Sequence, residues 1–243
     1  MMIMLTQISP RVYILPFDSQ RDRPNLGYIH GEKFSILVDA GNSKAHLNAM
    51  LEAVYAAGLP KPEIALITHW HWDHTFGMHA FPGTTMTHIK TNEILNTLTE
   101  WEWTPEAMAK RLEAGEECEF CDTHMKIEYD DVNDIKVVHA DIEFSGNLTL
   151  NLGGVTVEVT PIANPHSDDG AVVFVPEDKV LFAGDADTGD FYKLDGGYDA
   201  DKFYDYIETV DKIPYDTYIH GHLAPMTRPE ISALRKEIAE EEL

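Results

Sequence analysis

Apolar positions change their spacing along the chain, and each change marks an element. Residues 12–15 and 34–38 are short β-branched and apolar runs that predict strands, the second ending at Asp39-Ala40-Gly41. Over residues 43–57 the spacing turns helical, with Leu47, Met50, Leu51 and Val54 on one face, and it stops at Gly58 ahead of Pro60. Residues 64–68 form a short apolar run behind Pro62, the pattern of a buried strand. Two further helical stretches, 91–99 and 105–114, lead into an acidic loop that carries both cysteines. Strands return after Lys136. Residues 148–152 and 155–160 flank Gly153-Gly154, and 171–175 and 180–182 flank Pro176-Glu177-Asp178-Lys179, so both pairs read as hairpins. Helices over 199–210 and 228–242 close the pattern, the last with Thr227 and Glu230 at capping-box spacing and Pro229 in its first turn.

No Gly/Ser/Pro-rich linker and no internal repeat divides the chain, so residues 1–243 read as one domain of mixed α/β type. Residues 90–131 differ from the rest in composition. They read either as a surface insertion or as a lid over a site, with Trp101 and Trp103 lining it, because long insertions in compact domains are often functional.

Composition narrows the partners. The chain carries 42 acidic side chains against 18 Lys plus Arg, a formal charge of −24. Nucleic-acid binding needs a basic face that displaces counterions, so DNA, RNA and anionic membrane surfaces are excluded as expected partners. Disorder is not implied, since 44% of residues are hydrophobic and 10% aromatic. The first seven residues lack a basic region, their apolar run is too short for a signal peptide, and no stretch is long enough for a membrane helix. The expected location is cytoplasmic. Only two cysteines occur, Cys118 and Cys121, so there is no disulfide framework. With His124 they offer three zinc donors where a closed structural site needs four; reduced thiols in an acidic loop are the favoured alternative.

Histidine changes the picture more than charge does. The strand at 64–68 runs into His69-Trp70-His71-Trp72-Asp73-His74, four metal-ligand types within six residues at a strand end. Packing does not explain that density. Neutral imidazoles with a carboxylate suit Zn²⁺, Fe or Mn²⁺ and do not suit Ca²⁺.

This H-x-H-x-D-H run resembles the signature of the metallo-β-lactamase fold superfamily, and later segments match in order: Pro165-His166-Ser167, then Leu181-Phe182-Ala183-Gly184-Asp185, then Ile219-His220-Gly221-His222. The resemblance covers nearly the whole chain. It implies an αββα four-layer sandwich with a helical insertion around 90–131. It also implies a dinuclear centre of two divalent ions, most readily Zn²⁺: His69, His71 and His166 on one, Asp73, His74 and His222 on the other, Asp185 bridging. His222, directly after Gly221, takes the ligand position over His220. Asp39 matches a position that orients ligands from behind. Water activated by the two ions would be the nucleophile, with Asp73 and Asp185 in the catalytic roles.

The implied activity is hydrolysis of a small ester, lactone, amide or β-lactam-type substrate. Only 21 residues follow His222, which is read as leaving no room for a glutathione-gripping helical domain or a flavodoxin domain. A β-lactamase proper is disfavoured because no Lys closely follows Asp185 to grip a substrate carboxylate. Lys193 is a distant substitute, though a solvated loop lysine beside Tyr192 and Asp195 is the favoured reading. Tyr192, Tyr198 and Tyr204 are candidate oxyanion donors or packing residues. The competing readings are a mononuclear iron dioxygenase acting on persulfides and a metal-binding protein without catalysis.

Overall fold

Ile36 and Val38 point to one side of their strand and Leu37 to the other, and all three are buried. A strand buried on both faces must lie between two layers, and this alternation recurs through the chain. The computed structural model describes residues 4–243; the part of the N-terminal reading that rests on residues 1–3 lies outside the described residues.

Strands β1 (Thr6–Gln7), β2 (Val12–Leu15), β3 (Leu26–His30), β4 (Ser35–Val38), β5 (Ile64–Leu66), β6 (Thr84–His88) and β7 (Ile142–Phe144) form one sheet in sequential order. Its first four strands are antiparallel, and β4 to β7 are parallel. The second sheet runs β13 (Met226–Thr227), β12 (Thr217–His220), β11 (Val180–Gly184), β10 (Ala171–Val175), β9 (Thr156–Pro161), β8 (Leu148–Asn151). Both predicted hairpins are present in it.

The sheets pack face to face through Ile36, Val38 and Leu66 from one and Val157, Val173 and Phe182 from the other. Gly27 in β3 permits the approach: a Cβ there would stand 2.6 Å from the Phe182 ring. The opposite faces carry helices. Helix α1 (Lys44–Ala56) lays Leu47, Met50 and Val54 on Leu37 and Tyr28. Helices α6 (Ala200–Val210) and α7 (Arg228–Glu241) cover Val172, Phe174 and Leu181 with Tyr206, Val210 and Ile231. The architecture is the expected αββα layering.

Between β5 and β7 lie α2 (Trp72–Thr75), α3 (Ile89–Leu98), α4 (Pro105–Ala114) and α5 (Glu119–Glu128). Helix α5 corrects the sequence reading, which placed a loop there. Cys118 caps it, its Sγ accepting the Cys121 N–H at 3.2 Å, and Cys121 and Met125 form an apolar stripe one turn apart. That stripe packs with Trp103 and Met108 on Trp72 and Phe76, so the insertion is anchored on the segment that follows the histidine run. Among the described residues, no helix is long and apolar enough to cross a membrane.

Candidate metal centre

Parallel strands end their chains at one edge of a sheet, and β4 and β5 deliver Asp39 and the 67–69 segment side by side there. Asp39 adopts a left-handed φ of 66° and turns its carboxylate back under the histidine run. Its Oδ1 accepts the Thr68 N–H at 2.7 Å, and its Oδ2 lies 2.8 Å from His74 Nδ1. A carboxylate only accepts, so Nδ1 of His74 carries a proton and its Nε2 is turned toward Asp73 and Asp185. The same logic applies twice more. His166 Nδ1 faces the Gly189 carbonyl at 2.8 Å, and His69 Nδ1 faces Thr68 Oγ1 at 3.1 Å, whose own proton goes to Asp39.

Three orienting bonds thus turn three Nε2 atoms inward, and the Nε2 atoms of His69, His74 and His166 are all buried without a hydrogen-bond partner. Asp185 Oδ1 is a fourth such atom. Buried polar atoms are normally satisfied, so a converging set of unpartnered nitrogen and oxygen atoms is the arrangement a cation completes.

The donors fall into two groups, in each of which the ligand atoms lie within 4.8 Å of one another: His69, His71 and His166, and Asp73, His74, Asp185 and His222. Asp185, just after β11, touches both, with Oδ2 3.8 Å from His166 Nε2 and 3.1 Å from His222 Nε2 and Oδ1 3.4 Å from His74 Nε2. His222 Nε2 also lies 3.0 Å from Asp73 Oδ2. The first sheet and α2 supply one part of the donor set and the second sheet's loops the other. Gly221 makes the final approach possible, since a Cβ there would fall 1.9 Å from Asp185 Oδ1.

Charge follows the grouping. Burial, then neighbouring imidazoles, holds His69 and His71 well below the usual histidine range, in the neutral form that metals bind. Burial opposes protonation of His74, but Asp73, Asp39 and Asp185 outweigh it and raise its pKa. Asp73 and Asp185 are themselves held low by His74 and His222 against their burial. The set of imidazoles and acids is therefore matched to positive charge at its centre, the donor chemistry of Zn²⁺, Fe or Mn²⁺.

His220 points elsewhere. Its Nε2 meets Thr188 Oγ1 at 3.1 Å and its Nδ1 accepts the His222 N–H at 3.0 Å, so it shapes the turn that carries His222.

A cavity of about 290 Å³ opens onto the donors, with Asp22, Phe120, Cys121 and Phe191 in its wall. Trp101 and Trp103 do not line it. Both rings lie against the Arg111 guanidinium, at 4.4 and 4.8 Å, because two indoles and a buried cation satisfy each other within the insertion. Lys193 is paired with Asp168 at 2.6 Å and points to solvent. Tyr192 packs at a tilt against both Trp70 and His71, its hydroxyl beside Glu117 and Cys121. Tyr198 donates to the Asp187 carbonyl, and Tyr204 is exposed on α6. His124 turns away from the cysteines to the Phe120 carbonyl, and Glu117 takes its place beside them.

Sequence reasoning missed Asp22 and Asn25. Asp22 Oδ1 lies 3.6 Å from His222 Nδ1, and Asn25 Nδ2 donates to the carbonyls of His220 and Leu223, clamping the ligand turn. Neither sits in a motif; each acts across about 200 positions of sequence, and no local signal marks it.

A sequence model described as the Metallo-beta-lactamase superfamily matches residues 20–222. No curated protein matches the chain. Among solved structures, a metallo-beta-lactamase from Pontibacter korlensis superposes with a TM-score of 0.71 at 17% identity, covering 98% of this chain and 99% of that one. A metallo-beta-lactamase family protein from Thermus thermophilus gives 0.66 at 18% identity over 96% and 81%. The metallo-beta-lactamase FIM-1 from Pseudomonas aeruginosa, in its mono-zinc form, gives 0.66 at 15% identity over 99% and 96%.

Proposed function

The chain belongs to the metallo-beta-lactamase superfamily, and from that premise we propose that it is a dinuclear zinc hydrolase of a small, uncharged or weakly charged ester, lactone, amide or β-lactam-type substrate. At the coarser level, superfamily membership and the His/Asp cluster make it a metal-dependent hydrolase. The single observation that supports two ions is Asp185, within hydrogen-bonding range of His222 and near both His166 and His74.

In this reading His69, His71 and His166 hold one ion, Asp73, His74 and His222 hold the other, and Asp185 faces both. When bound, the ions supply a water nucleophile at neutral pH and polarise the bond under attack. Asp73 Oδ2, on the cavity wall beside His222, is the atom placed to take up a proton and return it to the leaving group. Asp22 lies 3.6 Å from the far ring nitrogen of His222, an acid beside the imidazole on the side away from Asp185. Phe120 and Phe191, ring centroids 5.3 Å apart, form the apolar wall against which the substrate body rests and from which water is excluded. Docked on Trp72 and Phe76, the 90–131 insertion supplies part of that wall and so acts as a lid.

Metal analysis of the purified protein, combined with a panel of ester, lactone, amide and β-lactam substrates, tests the reading. Two zinc ions per chain and hydrolysis that is lost on chelation and restored by Zn²⁺ are expected. One iron per chain with persulfide oxidation would replace the hydrolase with a dioxygenase.

A further inference from the structure

Outside the metal centre, nucleophilic side chains converge once more, at the start of helix α5. Sulfurs of Cys118 and Cys121 and a carboxylate oxygen of Glu117 lie within 4.8 Å of one another. Helix geometry places residues three apart on the same face, so the two thiols meet without distortion of the backbone. Their surroundings differ. Cys118 sits at the N-cap, half-buried, with the helix N–H groups behind it, whereas Cys121 is buried one turn further on against Met125 and the Tyr192 hydroxyl.

We propose that Cys118 and Cys121 form a thiol–disulfide exchange site for low-molecular-weight disulfides, with Cys118 as the attacking thiol, Cys121 as the resolving thiol and Glu117 as the proton acceptor. Cys118, ionised by loss of its proton to solvent, attacks one sulfur of R–S–S–R. A mixed disulfide forms, and the first R–S⁻ leaves with the electron pair and is protonated by solvent. Cys121 then passes its proton to Glu117, and its sulfur attacks Cys118 Sγ. The second R–S⁻ departs and is protonated in turn. The protein dithiol is oxidised by two electrons, and one disulfide becomes two thiols.

The Cys121 thiol first, then the N–H groups of Cys121 and Phe120, hold Cys118 below the ordinary thiol range, while the Cys118 interaction and burial push Cys121 well above it. That ordering matches the roles that exposure and geometry assign. Cys121 and the intervening Phe120 both line the cavity of the metal centre. Exchange at this site therefore acts on the wall of the substrate cavity.

The metal-loaded full chain is incubated with oxidised glutathione, quenched by alkylation and weighed by mass spectrometry. The expected product has lost two hydrogens, with an intramolecular Cys118–Cys121 link in the peptide map. Cys121→Ser should stop at one glutathione on Cys118, and Cys118→Ser should give no adduct at Cys121. Glu117→Gln should slow the resolving step by ~10²-fold while leaving formation of the mixed disulfide unchanged. Persistence of both free thiols in the native chain, first modification at Cys121, or a zinc ion held by the two sulfurs that blocks exchange would each overturn the proposal. None of these readouts depends on hydrolytic activity, so the hydrolase reading and this one fail separately.

Discussion

The Nε2 atom of His222 reaches Asp73 and Asp185 together, while its Nδ1 turns to Asp22. Removing that ring should therefore cost one ion and nearly all turnover. His222→Ala is expected to retain one metal per chain by elemental analysis, and His220→Ala, which loses only its bonds to Thr188 and the His222 amide, is expected to keep two. Asp39 acts through two neighbours rather than on the substrate. Asp39→Ala frees His74 and Thr68 together and should weaken metal binding by about 10–100-fold in a chelator competition, because orienting partners of that kind contribute about that much. A third residue gives a pH signature. Burial pushes the Glu117 carboxyl from 4.5 up to about 7. An acid with a raised folded pKa binds more protons folded than unfolded, so its contribution is fully present below pH 4.5 and is lost as pH rises through about 7. Glu117→Gln should exceed the parent in stability by up to about 3 kcal/mol near pH 8, with the gap closing toward pH 5, as read from denaturation at both values.

Helix α5 is held at both ends, by the Cys118 cap and by Glu128, whose buried carboxylate receives Arg21, Arg23 and Ser43. Ser43 also caps α1, so one carboxylate ties the insertion to the helix layer. Glu128→Ala leaves the part-buried Arg23 unpaired and should destabilise this docking by about 3 kcal/mol. Hydrogen exchange should then rise across α5 before it rises in β4 or β5. The same helix marks where sequence reading reached its limit. Elements with local punctuation were legible: α1 behind Ser43, α4 behind Thr104-Pro105, α7 with its Thr227/Glu230 box, and both hairpins. Strand β3 was not, because Gly27 looks like a breaker and its reason, contact with Phe182, lies 155 positions away. Strand β6 is rich in threonine, and Thr85 is satisfied only by the distant Asp141. The histidine run and its downstream partners were legible because ligand chemistry restricts residue type. The cavity wall was not: any apolar side chain serves there, so Trp101 and Trp103 looked as suitable as Phe120 and Phe191.

At the scale of the molecule, a charge of −24 surrounds a centre whose own acids face imidazoles. Exposed charges are screened within about 10 Å at 0.1 M salt, so long-range repulsion of anionic substrates should fade as salt rises. Turnover of an anionic ester should accordingly gain in kcat/KM between ~0.01 and ~0.5 M NaCl, while a neutral ester of the same leaving group changes little. The two sheets share one apolar core but divide the donors, His69, His71, Asp73 and His74 coming with the first and His166, Asp185 and His222 with the second. The chain crosses between them once in sequence, through the exposed residues 145–147. A protein cut at Gly146 would therefore be a split reporter: two pieces that meet through oil-like faces and would be latched by any divalent ion the divided donors hold, with that ion as the input and reassembly as the output.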